Sequence, residues 1–278
     1  MFKFFPHIFK RKKKSIGLAL GGGGARGLAH IGFLKILDDL SIKPSMVAGT
    51  SIGAMIGALY CSGLTADQIE ITLSDLNLLK WSKLLDISWL SRRGFIRGER
   101  IVSLFKTELK IERFEDLAIP LKVIATDFWK KQEIVFDSGY ILEAVRASIS
   151  IPGIFEPIKI ENRIYIDGGA VNPLPYDHLL GACDFIIAID VSGSNNDSEK
   201  NTSKPTIFDG LLSTYSIMEE AIINNKMKIY KPDIYIKPNL RNIELLDFHK
   251  KDEILKIIND DVLEFKDKLK KILNLKTR

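Results

Sequence analysis

Cysteine is nearly missing from this chain. Its 278 residues hold only Cys61 and Cys183, and the two form no C-x-x-C pair. That scarcity excludes a disulfide-built scaffold and a thiolate zinc site, and it fits a reducing compartment. Histidine is equally sparse, at four residues (His7, His30, His178 and His249), so the candidates for an imidazole base are few. Acidic residues are absent from residues 1–14, which carry Lys3, Lys10, Arg11, Lys12, Lys13 and Lys14. Apart from that tail the chain has 34 basic against 35 acidic residues, so the net charge of +5 belongs to the tail. A near-neutral body disfavours a nucleic-acid groove. Long uncharged runs are also lacking, with one exception at Ser45 to Ala66. That run is long enough for a membrane span. It is rich in small residues, however, and Gly49, Gly53, Gly57 and Gly63 divide it into a short strand, a tight turn and a buried helix. The protein is therefore expected to be cytoplasmic, with any membrane contact peripheral and at the inner surface.

What is present is an α/β core: hydrophobic residues make up 46% of the chain and charged residues 27%, enough apolar surface to bury. Residues 1–14 read as a basic, aromatic tail. Phe2, Phe4, Phe5, Ile8 and Phe9 lie beside the charges, as in a segment drawn to anionic lipid, and a solvated arm is the plain alternative. The tail is a poor signal peptide, because its basic cluster follows the apolar residues.

Ser15 to Leu20 is a short apolar run closed by glycines, the pattern of a buried parallel strand. Arg26 to Leu40 repeats Leu28, Ile31, Leu34 and Leu37 at helical spacing. Met46 to Gly49 predicts a second strand and Ser51 to Ser62 a second helix. This β-turn-α-β-turn-α opening implies parallel strands with right-handed crossovers. Thr65 and Gln68 form a capping box before a helix to about Leu79. A helix is expected from Glu99 to Leu109, strands at Pro120 to Thr126 and Gln132 to Phe136, and a helix from Tyr140 to Ala147. Ile158 to Ile160 and Arg163 to Ile166 suggest a hairpin, and Asp184 to Val191 another buried strand. Ser192 to Pro205 is polar enough for a mobile loop. A helix near Ile207 to Tyr230 and a strand at Asp233 to Lys237 follow. A last helix from Lys250 to Leu273 places Ile254, Ile258, Val262, Phe265, Leu269 and Ile272 on one face. The expected division is a tail at 1–14, a catalytic domain at 15–191, and a mainly helical extension at 192–278 packed on that domain.

Two glycine motifs carry the chemistry. Gly22-Gly-Gly-Ala-Arg-Gly27 satisfies G-x-G-x-x-G between a strand and a helix. Read as a dinucleotide fingerprint it needs an acidic residue closing the second strand, and that strand closes with Gly49-Thr50-Ser51 instead. The same loop can converge its backbone N–H groups on a developing oxyanion, or serve only as a turn. Gly49-Thr-Ser-Ile-Gly53 matches G-x-S-x-G, and its strand-to-helix setting is that of a nucleophile elbow. No histidine has a compelling setting: His7 lies in the tail, His30 on the first helix, and His178 after a proline-rich turn where a surface position is expected. The better partner is Asp167 in Ile164-Tyr-Ile-Asp-Gly-Gly169, at the end of an apolar strand with two glycines behind it. An ordinary Asp-Gly turn is the competing reading, weakened because Ala170 to Pro175 forms no returning strand.

Four blocks in order (Gly22–Gly27, Gly49–Gly53, Arg146–Phe155 and Asp167–Gly169 running into Asn172–Pro175) resemble the patatin-like phospholipases, in their bacterial branch. The resemblance covers about Ile16 to Val191. It implies a three-layer α/β/α fold with a mostly parallel central sheet, a Ser–Asp dyad in place of a triad, and no metal or organic cofactor. Ser51 would be the nucleophile and Asp167 its proton acceptor. The N–H groups of Gly22, Gly23 and Gly24 would form the oxyanion hole, with that of Ile52 as an additional donor. Arg26, Gly27, Gly49, Gly53, Gly168 and Gly169 would support the motifs, and Arg26 could also steer an anionic head group or hold a salt bridge. Gly169 stands where many members carry alanine, a departure expected to change packing little. The implied substrate is a phospholipid or another acyl-ester lipid. An esterase or thioesterase of soluble acyl compounds, and a catalytically idle lipid-binding regulator, are the competing classes.

Overall fold

The computed structural model describes residues 14–75, 105–193, 204, 206–240 and 242–274. Strands β1 (Ile16–Leu20), β2 (Met46–Thr50) and β3 (Leu121–Asp127) lie side by side in parallel, in the order β3-β2-β1. On the other side of β1 come β7 (Phe185–Ile189) and β8 (Ile234–Ile236), also parallel. Three antiparallel strands complete the eight-stranded sheet: β4 (Gln132–Phe136) on β3, and the hairpin of β5 (Ile158–Ile160) and β6 (Arg163–Asp167), whose β6 also pairs with β3. The sheet is mostly parallel, and helical elements cover both faces.

Alternation within the central strands sorts the two faces. Leu18, Leu20, Val47, Ile187 and Ile189 point into the larger core, with α1 (His30–Asp39), α2 (Ile52–Cys61) and α3 (Ala66–Asp75). Ala19, Ala48, Ile186 and Ala188 point the other way. They meet Leu174, Tyr176 and Leu179 around a short 3₁₀ turn, together with Ile223 of the long helix α5 (Ile207–Ile229). Small residues on that face let the backbone of residues 172–179 lie close to the sheet. Helix α4 (Ile141–Ser148) packs beside β3 and β6.

Several expectations are refined. Residues 26–29, expected as the start of a helix, belong to a 3₁₀ turn (Gly24–Ala29) before α1 begins at His30. Gly24 adopts φ +56° there. The Thr65–Gln68 capping box is present, with Thr65 N–H donating to Gln68 Oε1 at 2.9 Å. The last helix is two: α6 (Lys251–Ile257) and α7 (Asn259–Ile272) break at Ile258, whose side chain presses into the space left by Gly32. Ile272, expected on the core face, is 39% exposed. Residues beyond 191 continue the sheet, since β8 pairs with β7. The tail except Lys14, the span 76–104 with most of the helix expected from Glu99, and nearly all of the loop before Pro205 lie outside the described residues. Among the described residues no helix is long and apolar enough to cross a membrane.

Candidate active site

The sheet brings Ser51 and Asp167 together end to end. Along β3, residues 123 and 124 pair with both β2 and β4, and residues 125 to 127 with both β4 and β6. A strand has two edges, so β2 and β6 share one. β2 ends at Thr50 opposite Ile124, and β6, running the other way, ends at Asp167 opposite Ala125. The residue that leaves β2 is Ser51, which therefore stands beside the last residue of β6.

Ser51 sits at the turn into α2 with φ +55°, a left-handed conformation that a residue with a Cβ adopts only under constraint. The constraint is visible. Its N–H donates to Ser148 Oγ at 2.8 Å, and Ser148 Oγ–H donates to the carbonyl of Ile124 at 2.5 Å. The flanking glycines are required by space. A side chain on Gly53 would collide with the carbonyl oxygen of Leu20, and one on Gly49 would lie 2.7 Å from the Cα of Ala54. Gly27 makes room for Ile52, and Gly168 for the carbonyl of Ile124.

Ser51 Oγ donates to Asp167 Oδ2 at 2.6 Å. Oδ1 accepts the N–H of Gly169 at 2.7 Å and the phenol of Tyr215, from α5, at 3.1 Å. The Asp167 backbone is also fixed: its N–H donates to the carbonyl of Ser150 at 2.9 Å, and its carbonyl accepts from Thr126 Oγ1 at 2.8 Å. Asp167 is fully buried, and burial pushes its pKa up to about 6 against the pull of Ser51, Gly169 and Tyr215. The carboxyl is thus a stronger base than an exposed aspartate and is still ionised at neutral pH. Ser51 is 4% exposed.

The glycine loop lies against the serine, with Gly22 closest to its Cβ. Gly22 corrects one expectation. Its N–H donates to the carbonyl of Pro173 at 2.9 Å, so it is already spent and cannot also serve an oxyanion. Gly21 and Ala25 are likewise engaged, with Ile189 and Leu245. The N–H groups of Gly23 and Gly24 have no partner among the described residues.

Arg26 corrects a second. Its guanidinium is buried and donates to the carbonyls of Ile243, at 2.7 Å, and Ser192. It clasps the C-terminal segment and does not face a substrate. At Gly169 a Cβ would meet Glu219 Oε1, Tyr215 Oη at 2.7 Å and Asp167 Oδ1 at 3.0 Å, so an alanine there would require the side-chain ends of Glu219 and Tyr215 to shift. Glu219 is buried, and burial together with Asp167 raises its pKa well above the usual carboxylate range.

The histidines lie elsewhere. His30 is buried with Nε2 2.9 Å from the carbonyl of Gly21, and its pKa is pushed down to about 4 by burial, so it is a neutral prop of the glycine loop. His178 is not at the surface as expected but half-buried, with Nε2 2.7 Å from Glu133 and 3.9 Å from Asp177. Glu133, Asp177 and His178 have the closeness of metal ligands. The ammonium of Lys226 already stands 2.6 Å from Asp177 Oδ1 and supplies the cation there. Sequence reasoning missed Tyr215, Glu219 and the role of Ser148. Ser148 lies in the Arg146–Phe155 block, where it could have been found.

The profile of the patatin-like phospholipases matches residues 18–180, which include both residues of the Ser51–Asp167 pair. The chain belongs to the patatin-like phospholipase family. An uncharacterized NTE family protein of Mycobacterium tuberculosis is 34% identical over 193 residues, covering 68% of this chain and 53% of the relative. Neuropathy target esterase of Drosophila melanogaster is 39% identical over 197 residues, covering 66% and 13%. Lysophospholipase NTE1 of Pyricularia oryzae is 29% identical over 284 residues, covering 92% and 19%. The chain thus spans about half the length of the mycobacterial relatives and about a fifth or less of the other two. VipD from Legionella pneumophila is similar in fold, with a TM-score of 0.53 at 15% identity, covering 92% of this chain and 67% of that one. The fungal match and the VipD likeness each cover 92% of this chain and so reach past residue 180.

Proposed function

We propose that this patatin-like protein is a lipid acyl hydrolase that cleaves fatty-acyl ester bonds through Ser51 and Asp167. The observation that carries the reading is the 2.6 Å hydrogen bond from Ser51 Oγ to Asp167 Oδ2, on a strained elbow inside the family-matched segment. Asp167 Oδ2 takes the proton of Ser51 as Oγ attacks the ester carbonyl. The carbonyl oxygen gains the charge and faces the free N–H groups of Gly23 and Gly24. Collapse expels the alcohol, which takes the proton from Asp167. Water, deprotonated by the same carboxylate, then releases the fatty acid and restores Ser51. The serine proton thus leaves with the alcohol, and the proton taken from water replaces it on Ser51.

The substrate class we propose is a phospholipid or lysophospholipid, supported by the fungal relatives named lysophospholipases. The test is fluorophosphonate labelling with the labelled residue mapped, followed by hydrolysis of a phospholipid, a lysophospholipid and a short-chain ester. Labelling at Ser51, lost in Ser51→Ala, is expected together with release of fatty acid from lipid. Turnover of soluble esters or thioesters alone would replace the lipid reading by the esterase one. Residual activity in Ser51→Ala above about a tenth of wild type would overturn the nucleophile assignment, since losing a nucleophile costs many powers of ten.

A further inference from the structure

Helix α5 lies beyond the family-matched residues, yet it reaches the centre of the site. Tyr215, one of its middle residues, is half-buried and donates its phenol to Asp167 Oδ1 at 3.1 Å. Burial and the neighbouring Asp167 and Glu219 hold the phenol pKa well above its usual value, so the group remains a donor at any working pH. A Cβ on Gly169 would crowd both the Glu219 carboxyl and the phenol, which it would meet at 2.7 Å. The carboxylate is therefore gripped on one oxygen by Gly169 and Tyr215 and left to Ser51 on the other.

We propose that Tyr215 is the positioning residue of the Ser51–Asp167 pair, holding Oδ1 of the carboxylate so that Oδ2 stays ionised and aimed at Ser51. The inference rests on the hydrolase reading above. A hydrogen bond to the ionised form favours that form. Removing the phenol therefore leaves Asp167 protonated over more of the acid range. The groups that face the carboxylate are Ser51 from the start of α2, the Gly169 N–H from the turn after β6, and Tyr215 and Glu219 from α5. Thr126 of β3 and Ser150 meet only its backbone. Glu219, whose pKa burial and Asp167 raise well above the usual carboxylate range, is the other acid in this group. Helix α5 thereby sets the strength of a base that the rest of the fold supplies.

The experiment compares full-length wild type, Tyr215→Phe, Gly169→Ala and a protein with 3-fluorotyrosine at position 215. It reads the pH dependence of kcat/KM on a short-chain ester and of fluorophosphonate labelling at Ser51. For Tyr215→Phe the acid limb should move up by about one pH unit, an about tenfold loss near pH 5.5 that shrinks towards pH 8. Gly169→Ala should shift the limb the same way, because its methyl would press on the Glu219 carboxyl and the phenol and loosen the phenol's bond to Oδ1. Fluorotyrosine, a stronger donor, should move it the other way, and this variant keeps the test open if Tyr215→Phe unfolds. A uniform loss at every pH, an unmoved limb or a faster enzyme in Tyr215→Phe would overturn the proposal. Wild type unlabelled at Ser51 would instead overturn the hydrolase reading on which it rests.

Discussion

Thr50 and Asp167 face consecutive residues of β3, Ile124 and Ala125, from strands that run towards each other along the same edge. The separation of Ser51 from its partner is therefore set by backbone ladders, not by side-chain reach. Side chains then decide when the pair can work. Asp167 must be ionised to accept a proton, and its pKa is raised to about 6, chiefly by burial. Hydrolysis should fall as pH drops through about 6, roughly two units above where an exposed aspartate would set the limit. A pH–rate profile of kcat/KM checks this, and a limb near 4 would show that Asp167 is not the group being titrated.

The same raised pKa predicts a trade between activity and stability. The folded state binds the Asp167 proton more tightly than the unfolded chain does. The contribution of Asp167 to stability is therefore greatest below pH 3.8 and is lost as pH rises from there through about 6. At neutral pH the cost is about 3 kcal/mol. Asp167→Asn removes the charge and keeps the shape. It should lose nearly all activity and yet melt at a higher temperature than wild type at pH 7.5, with the gap narrowing towards pH 4.5. Thermal melts at the two pH values decide it.

Histidine substitutions should spare catalysis for distinct reasons. His178 has its pKa raised by Glu133, so the imidazolium's stabilising contribution is complete below 6.5 and fades as pH rises through the raised value. His178→Gln should lower the melting temperature at pH 6 more than at pH 8.5 and leave turnover nearly unchanged. His30→Gln should cost stability through the Gly21 carbonyl it supports. A histidine variant as inactive as Ser51→Ala, while folded, would install a triad in place of the pair.

Much of this was legible because it is local. The apolar runs of β1 and β2, and Gly49, whose Cβ position is filled by the backbone of Gly53 and Ala54, are consequences of short-range geometry. Ser51 and Asp167 could be chosen because each ends an apolar strand. What escaped is long-range. Tyr215 meets Asp167 across 48 residues, and nothing in the spacing of α5 marks it. Gly22 resembled its two neighbours until the backbone of Pro173 claimed its N–H. The continuous apolar stripe from Ile254 to Leu269 concealed a break at Ile258, whose side chain packs against Gly32 of another helix.

Residues 1–14 supply a prediction from sequence alone. Six basic side chains and four phenylalanines should bind vesicles containing anionic lipid, each charge contributing about 1 kcal/mol near the surface. Co-sedimentation of the full chain should weaken as salt rises. A chain starting at Ser15 should sediment less; equal sedimentation of the two removes the tail from membrane contact.

Arg26 offers a test of how the C-terminal segment is held. Its fork reaches two carbonyls at once, on Ile243 and Ser192, and Gly193 passes so close that a Cβ there would touch the guanidinium at 2.7 Å. The next residue back, Ala25, donates its N–H to Leu245 at 2.8 Å, so the glycine loop and residues 243–245 are tied at two adjacent points. Burial lowers the Arg26 pKa, opposed by Glu219, Glu244, Asp247 and Asp190, and a guanidinium stays charged through such a shift. Lysine cannot reproduce the fork, and methionine leaves both carbonyls and the surrounding acids without a cation. Removing one partner of a buried charged group costs roughly 3–5 kcal/mol. Arg26→Met should therefore lower the melting temperature by on the order of 10 °C and speed amide exchange at Ala25, with Arg26→Lys between it and wild type. Both should leave the ratio of activities on anionic and neutral lipids unchanged. A variant that kept its stability but lost preference for an anionic head group would return Arg26 to the substrate side of the site.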